Sequence, residues 1–518
     1  MVMSEKFYID TSIPYANSTP HMGSALDPLY GDVLARHYRA NGYDVFFLVG
    51  LDENGQKVYH KAKCEGITPE KWTEGIRKKF LNFHEKLNDT PDNFIRTSDK
   101  KNHWPTAQEI WKRAEKAGDI YKKNYKGLYC VGCEEFKIER DLVDGKCPDH
   151  LTKPEEIEEE NYFFRLSKYQ KFLLDLFDKN PDFVYPKNKY NEAYQIIKGG
   201  LEDVSISRPK ERLPWGVQVP GDDSHVMYVW FDALTNYLSG IGFTSDPEKF
   251  KKYWPTDLNI VGKDNNKWHS ILWPAILKSV GLELPKKNFI HGFVLGKGNI
   301  KMSKTIGNVV DPIEMIDKYG SDAFRYYLLA KIPVDSDGAF DEDHFREVYN
   351  GELAGGLGNL FSRTLTMIDK YLDGKIPEVK KDIDTHELRT GKGIYTWKDA
   401  YKEAENAILG LDFQRKIETI NKFIKTADKY IEDKKPWQLA KEGKGEELAW
   451  VLYGLADSLH QIAWMIYPIM PETSRKMAES LQIKALLKEN PQYKDSWTNL
   501  KVGTKVNKPE PLFPRLEK

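Results

Sequence analysis

The sequence predicts an α/β protein: a doubly wound parallel sheet with an inserted module, followed by an all-α domain. Three observations predict this. The chain opens as strand, loop, helix, strand. Its periodicity breaks down between about residues 120 and 220, after which apolar strand-like runs return. Beyond about residue 350 only helical spacings remain.

Phe7-Tyr8-Ile9 is a short β-prone run. A loop follows from Asp10 to Pro20, with two prolines and several Ser, Thr and Asn. Leu26, Leu29, Tyr30, Val33, Leu34 and Tyr38 then recur at helical spacing, with Gly42 past the end. Val45-Phe46-Phe47-Leu48-Val49 is apolar on both faces, as a buried parallel strand requires. This opening is Rossmann-like. The stretch from Ile120 to Pro220 holds three of the four Cys and the acidic run Glu155 to Glu160, and it reads as an insertion. Strands are expected again at Val226 to Phe231, Leu258 to Gly262 and Phe289 to Phe293. Leu357, Leu360, Phe361, Leu365, Ile368 and Leu372 mark one amphipathic helix. Leu448, Leu452, Leu455, Leu459, Ile462 and Ile466 alternate steps of four and three, which suits a bundle helix. The expected division is 1–118 and 223–294 for the two halves of the sheet domain and 119–222 for the insertion. A loop region at 295–350 and a helical domain at 351–518 complete it.

Composition narrows the class. A chain of 518 residues corresponds to roughly two to four domains. With 40% hydrophobic and 13% aromatic residues it is not a disordered chain. No apolar run approaches the roughly 18 residues of a membrane span, so no membrane partner is expected. The first ten residues lack a signal-peptide layout. Four Cys exclude a secreted disulfide scaffold and make the cytoplasm the expected compartment. The 77 basic and 78 acidic residues exclude a general polycationic coat but leave room for a local basic face.

Two stretches carry phosphate chemistry. Pro20-His21-Met22-Gly23-Ser24 precedes the first helix. A helix N-terminus favours anions, and a glycine there admits a ligand close to the backbone. Alone, the turn reads more readily as a plain cap. Lys301-Met302-Ser303-Lys304-Thr305 is flanked by Gly296, Gly298 and Gly307. Such a loop can close over a triphosphate and neutralise charge developing in the transition state. Alone, it reads equally as a solvated charged turn.

A third set suits a metal. Cys130-x2-Cys133, thirteen residues, then Cys147-x2-His150 supply three thiolates and one imidazole. That is a tetrahedral zinc set, structural because no position is left for a substrate. One Zn2+ is expected. Cys64 reads as an ordinary thiol.

Taken together, the His-x-Gly turn and the Lys-Met-Ser-Lys loop resemble the two motifs of class I aminoacyl-tRNA synthetases, usually His-Ile-Gly-His and Lys-Met-Ser-Lys-Ser. Thr305 and Ser24 depart from that pattern. Further stretches are similar to the methionyl-tRNA synthetase family, of a single zinc-knuckle type. They are Ser12 to Asn17; Gly50-Leu51-Asp52-Glu53-Asn54-Gly55-Gln56-Lys57, against Gly-Thr-Asp-Glu-His-Gly-Gln-Lys; and Tyr228-Val229-Trp230-Phe231-Asp232-Ala233. Gly262-Lys263-Asp264 with His269 and Trp273-Pro274-Ala275, Asn359 to Arg363, and Lys435-Pro436-Trp437 complete the set.

The resemblance implies ligation of L-methionine to tRNA(Met) through a methionyl-adenylate, with ATP and Mg2+. It implies that His21, Lys301 and Lys304 are catalytic, and that Gly23, Ser24 and Ser303 join them around ATP. Asp52 would pair with the substrate ammonium. Ile13, Tyr15, Trp230, Ala233, Tyr237 and His269 would form the side-chain pocket, where aromatic walls suit a polarizable thioether. Plain core packing is the rival reading for the aromatics, Trp230 above all. Arg208 matches an arginine at the family's active-site rim. Asn359, Arg363 and Trp437 would read the anticodon by edge hydrogen bonds and stacking; for Asn359 and Arg363 alone a solvated helix face is the rival. A monomer is expected. Two other functions stand beside this one: a non-catalytic tRNA-binding paralogue, and a class I synthetase for another small apolar amino acid.

Overall fold

The computed structural model describes residues 5–130, 135–137, 139, 142–148, 152–300, 302, 309–379, 387–390, 393–495, 500–507 and 510–517. Its centre is a six-stranded sheet in which every neighbouring pair is parallel. The order across it is Asn93–Arg96, Asp44–Leu51, Lys6–Thr11, Leu258–Gly262, Asn288–His291, Val184–Tyr185. Side chains alternate between two cores. Ile9, Phe47, Val49, Ile260 and Phe289 pack on one side with Leu29, Tyr30 and Val33 of helix Leu26–Ala40. Tyr8, Phe46, Leu48, Val261 and Ile290 pack on the other with Trp111, Phe231 and Ile276. Both faces are covered, which is why these strands read as unbroken apolar runs.

Strand order reverses beside Lys6–Thr11. The chain goes outward through Asp44–Leu51 on one side and returns to Leu258–Gly262 on the other. The connections leaving their carboxyl ends therefore run in opposite directions, and the crevice between such connections is the usual ligand position in sheets of this kind.

The expected insertion is built on an antiparallel sheet in the order Glu135–Lys137, Ile120–Cys130, Glu155–Phe164, Val204–Ser205. Its acidic run lies opposite a basic strand: Lys122 pairs with Glu160 at 3.1 Å and Lys126 with Glu156 at 2.9 Å. Opposite charges across a ladder explain a strand that shows no apolar alternation. The same stretch also lends Val184–Tyr185 to the edge of the parallel sheet.

One strand expectation fails. Of Val226 to Phe231 only Val226 and Met227 belong to a strand, His225–Met227, and it pairs with Ser207–Pro209 rather than with the main sheet. Val229–Leu234 is a helix turn. The reason is geometric. In a strand, Trp230 and Asp232 would share a face; on a helix they point apart. Trp230 is half-buried at the crevice while Asp232 is fully buried behind it.

Beyond residue 350 the expected helices are present at Asn359–Leu372 and Gly445–Ile466, with Trp397–Leu409, Phe413–Lys434 and Pro471–Leu481 beside them. Among them sits a small antiparallel hairpin, Glu387–Thr390 with Gly393–Thr396, that helical spacing did not anticipate. Its last residue, Thr396, caps the next helix by accepting from the Asp399 N–H at 3.0 Å.

The helical part is fastened to helix Leu26–Ala40, which covers the sheet, through helix Ser321–Lys331 and its fully buried Arg325. It donates to Asp32 Oδ2 at 2.6 Å, and to the carbonyls of Ile469 at 2.8 Å and Pro468 at 2.9 Å. Burial opposes the charge on Asp32, but Arg36 and Arg325 outweigh it and hold the carboxyl below its ordinary pKa.

Candidate active site

The crevice is lined by the segments that leave the carboxyl ends of the sheet. The pairing of the first two strands continues past their ends: Asp52 N–H donates to Pro14 O at 2.9 Å, and Ala16 N–H to Asp52 O at 2.7 Å. This sets Tyr15 opposite Asp52. Gly50 makes room for it. A Cβ there would lie 2.5 Å from Ile95 O and 2.8 Å from Ile13 Cγ2.

The phosphate-type turn is a short 3-10 turn, Met22–Ala25, feeding helix Leu26–Ala40. His21 N–H donates to Ser24 Oγ at 3.3 Å, and Ser24 N–H donates to His21 O at 2.8 Å. Ser24 therefore fastens the turn as a capping residue. The His21 ring folds over Gly23, where a Cβ would lie 3.0 Å from ring Cε1. The ring is open to solvent on one side, yet the surrounding protein desolvates it enough to lower its pKa. Ser24 also borders a cavity of about 20 Å³ shared with Ser12, Asp27 and His84.

Two groups here have no counterpart in the sequence reading. Asp27 accepts from Ser12 Oγ at 3.0 Å and pairs with His291 Nε2 at 2.8 Å. His291 ends its strand and also contacts Gly292 O through Nδ1 at 2.8 Å. Burial disfavours the charged ring, but Asp27 and the Gly292 carbonyl outweigh it and raise the pKa. An acid three residues past Ser24 is a common first-turn residue, so its spacing carried no distinct signal.

The expected methionine-binding residues fall in two groups. Ile13, Tyr15 and Asp52 lie on the paired extensions of the first two strands. Trp230 and Ala233 lie on helix turn Val229–Leu234, Tyr237 on Asn236–Ser239 and His269 on Trp268–Leu272. Trp230 stacks on Trp268 at 4.8 Å and meets the His269 ring edge-on at 6.4 Å. His269 is buried, with Nδ1 2.9 Å from Asn265 O and Nε2 2.7 Å from the Tyr237 hydroxyl. A carbonyl can only accept, so Nδ1 carries the proton and Nε2 accepts from Tyr237. Burial pulls the pKa of this ring down to about 4, the Asn265 hydrogen bond opposing only in part. The buried ring is therefore a neutral imidazole. Asp52 is buried, and its Oδ1 accepts from Thr97 Oγ1 at 3.0 Å. The two groups are joined by Asn54 Nδ2, which donates to Asp232 Oδ2 at 2.6 Å. Arg208 is buried between the rings of Tyr129 and Tyr228 and donates to Ser205 Oγ at 2.9 Å.

Lys301, Ser303 and Lys304 lie outside the described residues, as do Cys133 and His150. The other two expected zinc ligands, Cys130 and Cys147, are buried at 1% and 0% exposure. Cys130 ends its long strand. Cys147 follows the turn closed by the Val143–Lys146 pair, and its N–H donates to Thr152 O at 2.9 Å. Two buried thiols, one at a strand end and one after a tight turn, are donors of the kind a zinc knuckle uses.

In the helical part, Asn359 is exposed and Arg363 half-buried, one turn apart on the same helix. Arg363 is held by Glu432 at 2.6 Å, with Asp428 at 4.0 Å. Burial raises the Asp428 carboxyl to about 6, Arg363 opposing. Trp437 is 41% exposed on helix Pro436–Lys441, which packs against the helix of Asn359 and Arg363.

Comparison with known proteins gives a consistent answer. Residues 7–154 and 141–365 match the family described as tRNA synthetases class I (M). Residues 394–518 match the anticodon binding domain of methionyl tRNA ligase. The methionine–tRNA ligase of Caldanaerobacter subterraneus is 43% identical over 99% of this chain and 80% of its own length. That of Streptomyces coelicolor is 39% identical over 99% and 97%. Among solved structures, Mycobacterium tuberculosis methionyl-tRNA synthetase bound by methionyl-adenylate superposes with a TM-score of 0.90 at 36% identity, covering 98% of this chain and 100% of that one. Its apo form gives 0.85 at 34% identity, covering 99% of each chain. The chain belongs to the methionyl-tRNA synthetases of the class I aminoacyl-tRNA synthetase family.

Proposed function

We propose that this chain activates L-methionine with ATP and transfers it to tRNA(Met). The observation that carries the reading is the crevice at the strand-order reversal. The turn bearing His21 and Gly23 feeds the first helix, the buried carboxylate Asp52 follows the end of strand Asp44–Leu51 opposite Tyr15, and the buried His269 is paired with Tyr237. In the first step the methionine carboxylate attacks the α-phosphate and pyrophosphate leaves. In the second a ribose hydroxyl of the tRNA terminus takes the methionyl group. No covalent intermediate on the protein is needed. Catalysis is placement plus charge neutralisation.

In this reading His21, Gly23 and Ser24 contact ATP from the turn. Lys301, Ser303 and Lys304 also bind ATP, and the two lysines offset charge on the leaving pyrophosphate. Mg2+ accompanies ATP. Asp52 holds the ammonium. Ile13, Tyr15, Trp230, Ala233, Tyr237 and His269 surround the thioether. A neutral His269 suits an uncharged side chain, because a charged ring would need water or a counter-ion there. Asn359, Arg363 and Trp437 contact the anticodon loop, where an exposed indole is ready to stack on a base. Cys130, Cys133, Cys147 and His150 hold one structural Zn2+. The chain acts as a cytoplasmic monomer, divided at 1–118, 119–222, 223–294, 295–350 and 351–518.

Pyrophosphate exchange into ATP, run with each amino acid separately, tests the reading. Exchange with methionine alone is expected. No exchange with any amino acid would favour the non-catalytic paralogue, and exchange with a different apolar amino acid would favour the other synthetase.

A further inference from the structure

A buried chain of hydrogen bonds links the segment of Asp52 to the helix turn of Trp230 and Ala233. Ser239 Oγ meets His103 Nδ1 at 2.9 Å, and His103 Nε2 meets Asp232 Oδ1 at 2.7 Å. Asn54 Nδ2 donates to the other Asp232 oxygen at 2.6 Å and to Thr97 O at 3.0 Å. Thr97 Oγ1 donates to Asp52 Oδ1 at 3.0 Å, and the Asn54 N–H reaches the same oxygen at 3.3 Å. All six residues are at most 4% exposed.

Asn54 is the joint of this chain. Both hydrogens of its amide are committed, one to a carboxylate and one to a carbonyl. Turning the amide over would set its oxygen against two acceptors, so its orientation is locked. Its Oδ1 is correspondingly left buried without a hydrogen-bond partner among the described residues. Through Asn54, the segment carrying Asp52 is fixed to the helix turn carrying Trp230 and Ala233. Nothing else about position 54 demands an asparagine: it follows a strand end and precedes Gly55.

We infer that Asn54 is a positioning residue for methionine recognition, acting through Asp52 and Asp232 to hold the ammonium-binding carboxylate at a set distance from the thioether pocket. This rests on the assignment of Asp52 to the ammonium. A charge-assisted donor to a buried carboxylate is the strong kind of hydrogen bond, and its loss frees Asp232 together with the Thr97 carbonyl, whose residue holds Asp52 through its hydroxyl.

The test separates positioning from mere support. Binding of two methionine analogues is measured by calorimetry on the full-length wild type, Asn54→Ala, Asn54→His and Thr97→Val. Methioninol keeps the ammonium and thioether; 4-(methylthio)butanoate lacks the ammonium. Asn54→Ala is expected to weaken methioninol about tenfold or more and to leave the des-amino acid within about twofold. Asn54→His, which restores one donor toward Asp232, is expected to recover part of the loss. If Asn54→Ala does not fold, Thr97→Val, which removes the hydroxyl that donates to Asp52, is expected to show the same selective loss. Equal weakening of both analogues, or no weakening, would overturn the inference. If wild type itself binds methioninol no better than the des-amino acid, the assignment of Asp52 fails instead, which is a distinguishable result.

Discussion

Acidification should reveal the neutral state of His269. In an unfolded chain its ring takes up a proton near 6.5; in the folded protein burial delays that to about 4. Between those values the unfolded state binds more protons. The contribution of this ring to stability is therefore intact above about pH 6.5 and is lost as pH falls toward 4. A gap of about 2.5 units at 1.36 kcal/mol each amounts to about 3 kcal/mol. The geometry agrees with the sign, since Nδ1 already donates to Asn265 O and Nε2 already accepts from Tyr237. The assay is urea unfolding of wild type and His269→Gln at several values between pH 7.5 and pH 4.5. The substitution has a pH-independent packing cost that cancels when only the change with pH is compared. The advantage of wild type over the variant is expected to shrink by about 2.5 kcal/mol across that range, most of the full gap. Curves that stay parallel would show that the ring titrates normally, and the account of a neutral buried ring would be wrong.

Three further outcomes are expected. Replacing Cys133 by Ser should release zinc and loosen the knuckle, because metal binding and local folding are coupled; an absence of zinc by elemental analysis in wild type purified without chelator would refute the ligand set. Trp437→Ala should spare pyrophosphate exchange and weaken tRNA charging by roughly 1–3 kcal/mol, the worth of one base stack, whereas equal damage to both would mark the indole as structural. His21→Ala should slow activation far more than Ser24→Ala, since Ser24 Oγ chiefly accepts from the His21 backbone at 3.3 Å, a cap worth about 0.5–2 kcal/mol; single-turnover rates that fall equally would give Ser24 a direct role toward ATP.

The parallel sheet was legible because strands buried on both faces leave unbroken apolar runs, as at Val45 to Val49 and Leu258 to Gly262. The same rule misled at Val226 to Phe231. A short run apolar all round fits a helix turn as well as a strand, and only the opposed demands on Trp230 and Asp232 decide it. The hairpin at Glu387–Thr390 was hidden between strong helical patterns. His21, Asp52 and Trp230 were legible through motif resemblance. His103 and His291 were not. Each gains its place through partners 129 and 264 residues away in sequence, and such pairings leave no local pattern. Asn54 was visible only as a departure from a motif; its two acceptors appear once the fold sets Asp232 beside Thr97.

The central claim is that the crevice at the strand-order reversal makes methionyl-adenylate. The most direct measurement is to incubate the full chain with ATP, Mg2+, methionine and pyrophosphatase but no tRNA, then isolate the protein and identify what it carries by mass spectrometry. The account predicts close to one methionyl-adenylate per chain, discharged when tRNA bearing a CAU anticodon is added. No adenylate, or an adenylate of another amino acid formed in preference from a mixture, would contradict it.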